Sequence, residues 1–163
     1  MDEKKGCKVA ALLISVAVVF LSLQDITDWS LVGIYDGCGL CSRLLYPFFH
    51  AGIIHALLNV WCMVSVVFIY DVSLSRLIFG YITALSIPTC CLSVVPTVGL
   101  SGLVFALFGS ISFEVGRRLY YQLWMTTYLV IGFLFPNTNA CVHLYCYIVG
   151  LLVALLNKPV KLD

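Results

Sequence analysis

Charge is scarce in this chain. Of its 163 residues nine are Lys or Arg, eight are Asp or Glu and three are His, so charged side chains make up 10% of the whole. Soluble domains carry about a quarter, and a chain this poor in charge cannot cover a water-facing surface. It contains no basic run of the kind that binds nucleic acid, and a net charge of +1 points to no acidic partner. Cys7, Cys62, Cys141 and Cys146 are scattered and fall in no metal-ligating spacing, and neither a metal nor a cofactor is expected. What fills the chain is apolar. With 62% hydrophobic residues and a mean hydropathy of +1.06, these residues read as an integral membrane protein without room for a separate soluble domain.

The charge-free runs set the span count. Residues 9–24 follow a short basic start; no small-residue cleavage site follows Phe20, so a retained span rather than a signal peptide is predicted. Residues 25–43 form a polar loop with Gly33, Gly37 and Gly39, and residues 48–70 cross once. The 37 uncharged residues of 77–113 are too long for one crossing and are interrupted by Pro88 and Pro96, which splits them into spans over 75–95 and 100–115. Residues 119–157 are also uncharged, and Pro136, Asn137, Thr138 and Asn139 supply a turn between spans over 118–135 and 140–157. The prediction is an all-α, polytopic bundle of six transmembrane helices in a single domain over residues 1–163.

Alternate loops of that bundle place Lys4, Lys5, Lys8, Arg76, Arg117, Arg118, Lys158 and Lys161 on one face, eight of the nine basic residues, with only Arg43 opposite. By the positive-inside rule both termini are cytoplasmic and the loop over 25–43 is outside. A multi-pass protein of the plasma membrane is expected.

Gly99-Leu100-Ser101-Gly102 opens the fourth span with a hydroxyl between two glycines. Glycines let the backbone turn sharply and let another segment approach closely, and a helix start leaves unpaired N–H groups pointing outward. Those are the parts of a nucleophile and an oxyanion site. The same residues have a plainer reading, in which Gly102, Ala106 and Gly109 are a small-residue strip for helix packing and Ser101 is a helix cap.

Depth favours the first reading. Asn59 lies 12 residues before Asp71, Ser101 13 before Glu114 and His143 15 before Lys158, which at about 1.5 Å per residue puts all three roughly 18 to 23 Å above the cytoplasmic boundary of a core about 30 Å thick. His55 is one turn above Asn59 on the same face, whereas His50 falls half a turn away and is predicted at the helix entrance or in the loop. Each alone could bond a neighbouring helix; together at one depth they form a functional candidate. A serine needs a base, and His143 is the one histidine at that level on a later span. His55, the Asn59 amide and the Ser101 backbone N–H could receive the oxyanion. No acidic residue lies at that depth, so the site would be a dyad.

With these motifs in place the chain resembles the rhomboid family of intramembrane serine proteases. The matching residues are His50-Ala-Gly-Ile-Ile-His55-Ala-Leu-Leu-Asn59 on the second span, Gly99-Leu-Ser101-Gly102 opening the fourth, and His143 with Gly150 on the sixth. The resemblance covers nearly the whole chain. It implies Ser101 as nucleophile, His143 as general base, His55 and Asn59 as oxyanion partners and His50 as a secondary contributor, and Asp71 matches an acidic position at the end of the family's second span. It also implies a single-span membrane protein substrate cut within the lipid bilayer, at small residues in a weak helix. Three positions depart from the pattern. Phe105 stands where relatives have a tyrosine stacked on the catalytic histidine. Cys146 replaces a glycine, which predicts that the sixth helix is pushed off the fourth. Arg43 and Trp29 are out of register with the family's Trp-Arg pair.

Three other functions fit parts of the pattern. A rhomboid-like protein that binds clients without cutting them would be expected to lose the serine or the histidine, and both are here. Cys38-Gly-Leu-Cys41 suggests a membrane thiol–disulfide oxidoreductase or a local disulfide, but Cys90-Cys91 makes a poor relay pair. A transporter with a histidine relay would explain intramembrane polar residues but does not require glycines around a serine. Neither the client nor the oligomeric state is written in the sequence.

Overall fold

The computed structural model describes residues 2–135 and 138–156. Among them are seven α-helices and no strand: α1 (Glu3–Leu21), α2 (Leu40–Leu45), α3 (Ile53–Ile69), α4 (Leu74–Leu85), α5 (Ser101–Ser110), α6 (Arg118–Gly132) and α7 (Ala140–Leu156). The all-α class is therefore observed. No single described helix is long and apolar enough to cross a membrane. Leu40–Phe48 with Ile53–Ile69 passes that test as a pair, bent by 85°.

Each expected span corresponds to one of these helices, but the bounds differ. The span over 9–24 begins earlier and is Glu3–Leu21; that over 48–70 starts only at Ile53, behind a 3₁₀ turn, Tyr46–Phe48. The largest correction is at 75–95, where the helix ends at Leu85 and residues 86–100 are irregular apart from a 3₁₀ turn at Thr89–Cys91. Pro88 and Pro96 deny that stretch two backbone donors, and the loop is held by tertiary bonds instead. Ile34 and Thr97 exchange a pair of backbone bonds of 2.9 and 2.8 Å, Asp36 N donates to Ser93 O at 3.0 Å, and Arg43 Nη1 donates to Leu85 O at 3.1 Å and Ile87 O at 2.7 Å. Arg43 thus caps the carbonyl end of α4 from a helix, α2, that lies inside the expected loop.

The expected span over 100–115 is also shortened, to the ten residues of α5, about 15 Å at the usual rise. Ser110 Oγ and Ser112 Oγ donate back to Leu107 O at 2.8 Å and Phe108 O at 3.3 Å, and such back-bonding competes with helix continuation. The span over 118–135 ends at Gly132, and that over 140–157 is described to Leu156. Pro136 and Asn137 of the expected turn, Asn157, Lys158 and Lys161 lie outside the described residues.

Almost every residue of α5 is buried, as an apolar helix at the centre of a bundle should be. It packs on α3, α4 and α7. One core gathers α1, α3, α4 and α5 around Met63, Val67, Leu103 and Leu107; a second gathers α5, α6 and α7 around Phe105, Met125, Val142 and Tyr147. The contact between α5 and α7 is made by backbone. A Cβ placed on Gly150 would run into Ala106 O, and one on Gly109 into Tyr147 O.

One end of the bundle carries the two ion pairs found among the described residues. Lys8 Nζ meets Asp71 Oδ1 at 2.6 Å and Arg76 Nη1 meets Glu114 Oε1 at 2.7 Å. The Lys8 hydrogen bond holds the Asp71 carboxyl below the ordinary carboxylate range. The loops around Ile34, Thr97 and Ser101 close the opposite end.

Candidate active site

The backbone arrives at Ser101 under tight control. Gly99 has φ +135°, a conformation open essentially to glycine alone. Its N–H donates to Tyr46 O at 3.0 Å, and a Cβ there would stand 3.1 Å from His55 Cε1. The next N–H, of Leu100, donates to the buried His50 Nε2 at 3.1 Å. His50, predicted at the helix entrance or in the loop, lies in the loop before α3 and fixes the turn rather than lining the cavity.

Ser101 is the first residue of α5, and no side chain caps that helix. The capping reading of Ser101 is therefore corrected. Its Oγ is 2.8 Å from His143 Nε2, within hydrogen-bond distance; with the ring proton on Nδ1 the serine hydroxyl donates to the imidazole. Phe105, one turn on, stacks on that imidazole with ring centroids 4.4 Å apart and planes 14° from parallel. Behind Phe105 stands Tyr128 of α6 at 5.7 Å.

A cavity of about 460 Å³ opens between α3, α5, α6 and α7. Ser101, His143, His55, Asn59 and Phe105 all line it, as does Cys62. Among the described residues that line it there is no carboxylate. The Asn59 amide Nδ2 donates one hydrogen to His55 O at 3.0 Å, leaving its second for the cavity. His55 and His50 meet edge to face at 5.0 Å. Gly102 and Gly150 stay outside the cavity and set helix distances. A Cβ on Gly102 would stand 2.8 Å from Tyr46 Oη and 3.5 Å from Cys146 Sγ.

The expectation that Cys146 pushes α7 away from α5 is overturned. Cys146 is fully buried beside Gly102, and the helices stay in backbone contact at Gly150 and Ala106. The glycine one turn further on makes the close approach that Cys146 cannot. The small-residue strip thus does pack helices, and it does so beside the serine; the two readings of this stretch are not exclusive.

Sequence reasoning passed over Asn139, which organises the start of α7. Its Oδ1 accepts from Val142 N at 3.2 Å in the manner of an N-cap, while its Nδ2 donates to Cys91 O at 3.1 Å and Thr97 Oγ1 at 3.2 Å. One side chain joins the helix carrying His143 to the loop leading to Ser101. The available signal was an asparagine at the head of an apolar run, noticed only as part of a turn.

Among the described residues no group of three or more His, Cys, Asp or Glu is placed to hold a metal. No protein-family model and no curated protein matches the chain.

Proposed function

We propose that the protein is an intramembrane serine endopeptidase of the rhomboid type, working through a Ser101–His143 dyad. The observation that carries this reading is the 2.8 Å contact of Ser101 Oγ with His143 Nε2 at the wall of a cavity also lined by His55 and Asn59. Ser101 Oγ attacks the scissile carbonyl while His143 Nε2 takes its proton. The oxyanion accepts from the Ser101 N–H, His55 and Asn59, which strengthen as charge develops. His143 then protonates the leaving amine, and an ester on Ser101 remains. Water enters, gives its proton to His143 and releases the acid, and Ser101 regains its hydrogen.

The membrane setting belongs to the same proposal, with six crossings, both termini in the cytoplasm and the plasma membrane as site. Large apolar side chains face outward all round the bundle, among them Val16 (69% exposed), Ile54 (73%), Trp61 (73%), Leu119 (76%) and Leu134 (77%). Such a surface suits lipid far better than water. Short helices and the irregular 86–100 segment are tolerable there because that segment is bonded within the protein and leads to Ser101, at the wall of a cavity that admits the water hydrolysis needs. The substrate is a single-span membrane protein whose helix unwinds near small residues. No cofactor takes part.

Vesicles holding the full chain together with single-span proteins that bear small residues near the outer end of their span test the reading. Two new termini from one cut, read by mass spectrometry, are expected. Intact substrates in vesicles where an active rhomboid cuts the same set would overturn it.

Phe105 gives a finer check. Stacking needs a ring and not a hydroxyl, and Phe105 borders the cavity, so Phe105→Tyr is expected to keep the cutting rate within about threefold. Phe105→Ala, losing a stacked pair worth about 1 kcal/mol, should lower it roughly fivefold to tenfold. The rates of the two variants on one substrate decide this.

A further inference from the structure

The end of the bundle that carries Ser101 also gathers thiols that the proposed chemistry leaves unused. Cys91 sits in the Thr89–Cys91 turn of the 86–100 loop and Cys141 in the first turn of α7. The Cys141 and Cys90 thiols are close enough to Cys91 to raise its proton affinity, together with its burial. The surroundings hold the first pair in place, since Asn139, two residues before Cys141, donates to the carbonyl of Cys91 itself at 3.1 Å. Tyr145 Oη, one turn further along α7, donates to Ser86 O at 3.2 Å at the start of the same loop. Two thiols from segments about fifty residues apart in sequence are thus apposed by bonds on both sides of them.

We infer that Cys91 and Cys141 form an oxidation site, whose disulfide locks the loop leading to Ser101 onto the helix that carries His143. The co-reactant is a small-molecule disulfide of the glutathione class. Cys141 thiolate attacks one of its sulfurs and releases one thiol. Cys91 then gives up its proton and attacks the Cys141 sulfur of the mixed disulfide, releasing the second thiol. Two protein thiols are oxidised to one disulfide as one donor disulfide is reduced to two thiols, which take up both protons. Neighbouring Cys90 is exposed, and a disulfide between Cys90 and Cys91 would close no bridge between the two segments.

This inference does not rest on the protease reading. The full chain in detergent, treated with excess oxidised glutathione and digested without reduction, should yield a peptide pair joined through Cys91 and Cys141 and lighter by two hydrogens. The pair should persist in Cys90→Ser and vanish in both Cys91→Ser and Cys141→Ser. Because closing a loop of this length stiffens the unfolded chain, the oxidised protein should melt about 5 °C higher than the reduced one, reversibly with dithiothreitol. Glutathione adducts alone on Cys91 or Cys141, pairing through Cys90, or a cross-link that leaves the melting point unmoved would each overturn it.

Discussion

Alanine at Ser101 or at His143 is expected to abolish reaction of the protein with a fluorophosphonate probe, each alone lowering the labelling rate by about 10³-fold or more. The double variant should be no worse than the single ones, because nucleophile and base act as one unit and the second loss removes nothing further. The fold should survive both changes. Ser101 and His143 are half-buried, and the bond removed joins them to each other, a loss on the order of 1 kcal/mol. Melting points therefore separate a chemical effect from a structural one. The measurement is gel fluorescence of purified protein in detergent against time, with a known active rhomboid in the same detergent. Wild type that stays unlabelled where that enzyme labels would sink the dyad and leave a client-binding protein as the better reading. Labelling retained in either variant would place the reactive serine elsewhere.

The parts of this site that were legible in the sequence are those set by local chemistry. Gly99 before a serine signals a backbone that only glycine follows, and φ +135° is what it adopts. His55 and Asn59 share a helix face by spacing alone, and both line the cavity. The parts that stayed hidden depend on contacts distant in sequence. Hydropathy cannot tell an apolar helix from apolar irregular backbone, so residues 86–95 read as part of a span. Carbonyls among them are answered by Arg43, Asp36 and Asn139, none of which is near them in the chain. The glycines beside Cys38 and Cys41 likewise concealed a short helix whose value lies in where it delivers Arg43. Counting depth along the fourth span assumed one continuous helix, yet α5 ends at Ser110. Ser101 nevertheless meets His143, because the α5–α7 contact rather than helix length sets their relation.

That contact yields the second large effect. Gly150→Ala is expected to cut probe labelling about a hundredfold and to destabilise the protein, and Gly150→Val to prevent accumulation of folded protein. The added Cβ meets Ala106 O and, at 3.0 and 3.1 Å, Ala106 C and Ser110 N. All three atoms are helix backbone, which cannot swing aside as a side chain would, so α5 and α7 must part. Gly109 offers no relief, for its own Cβ position is blocked by Tyr147 O and, at 2.7 Å, by Leu151 N. Overpacking of this kind costs about 1–3 kcal/mol, occasionally more. The same two helices hold Ser101 and His143, and a displacement of about 1 Å between reacting groups can cost about 10²-fold in rate. Labelling should therefore fall further than the loss of folded protein explains, which is the signature of a shifted dyad. Gly116→Ala, where an added Cβ would meet nothing within 4 Å, serves as the control and should match wild type in both readings. A Gly150→Ala protein that melts and labels as wild type does would mean that α5 and α7 are not held backbone to backbone, and the 2.8 Å approach of Ser101 to His143 would then need another cause.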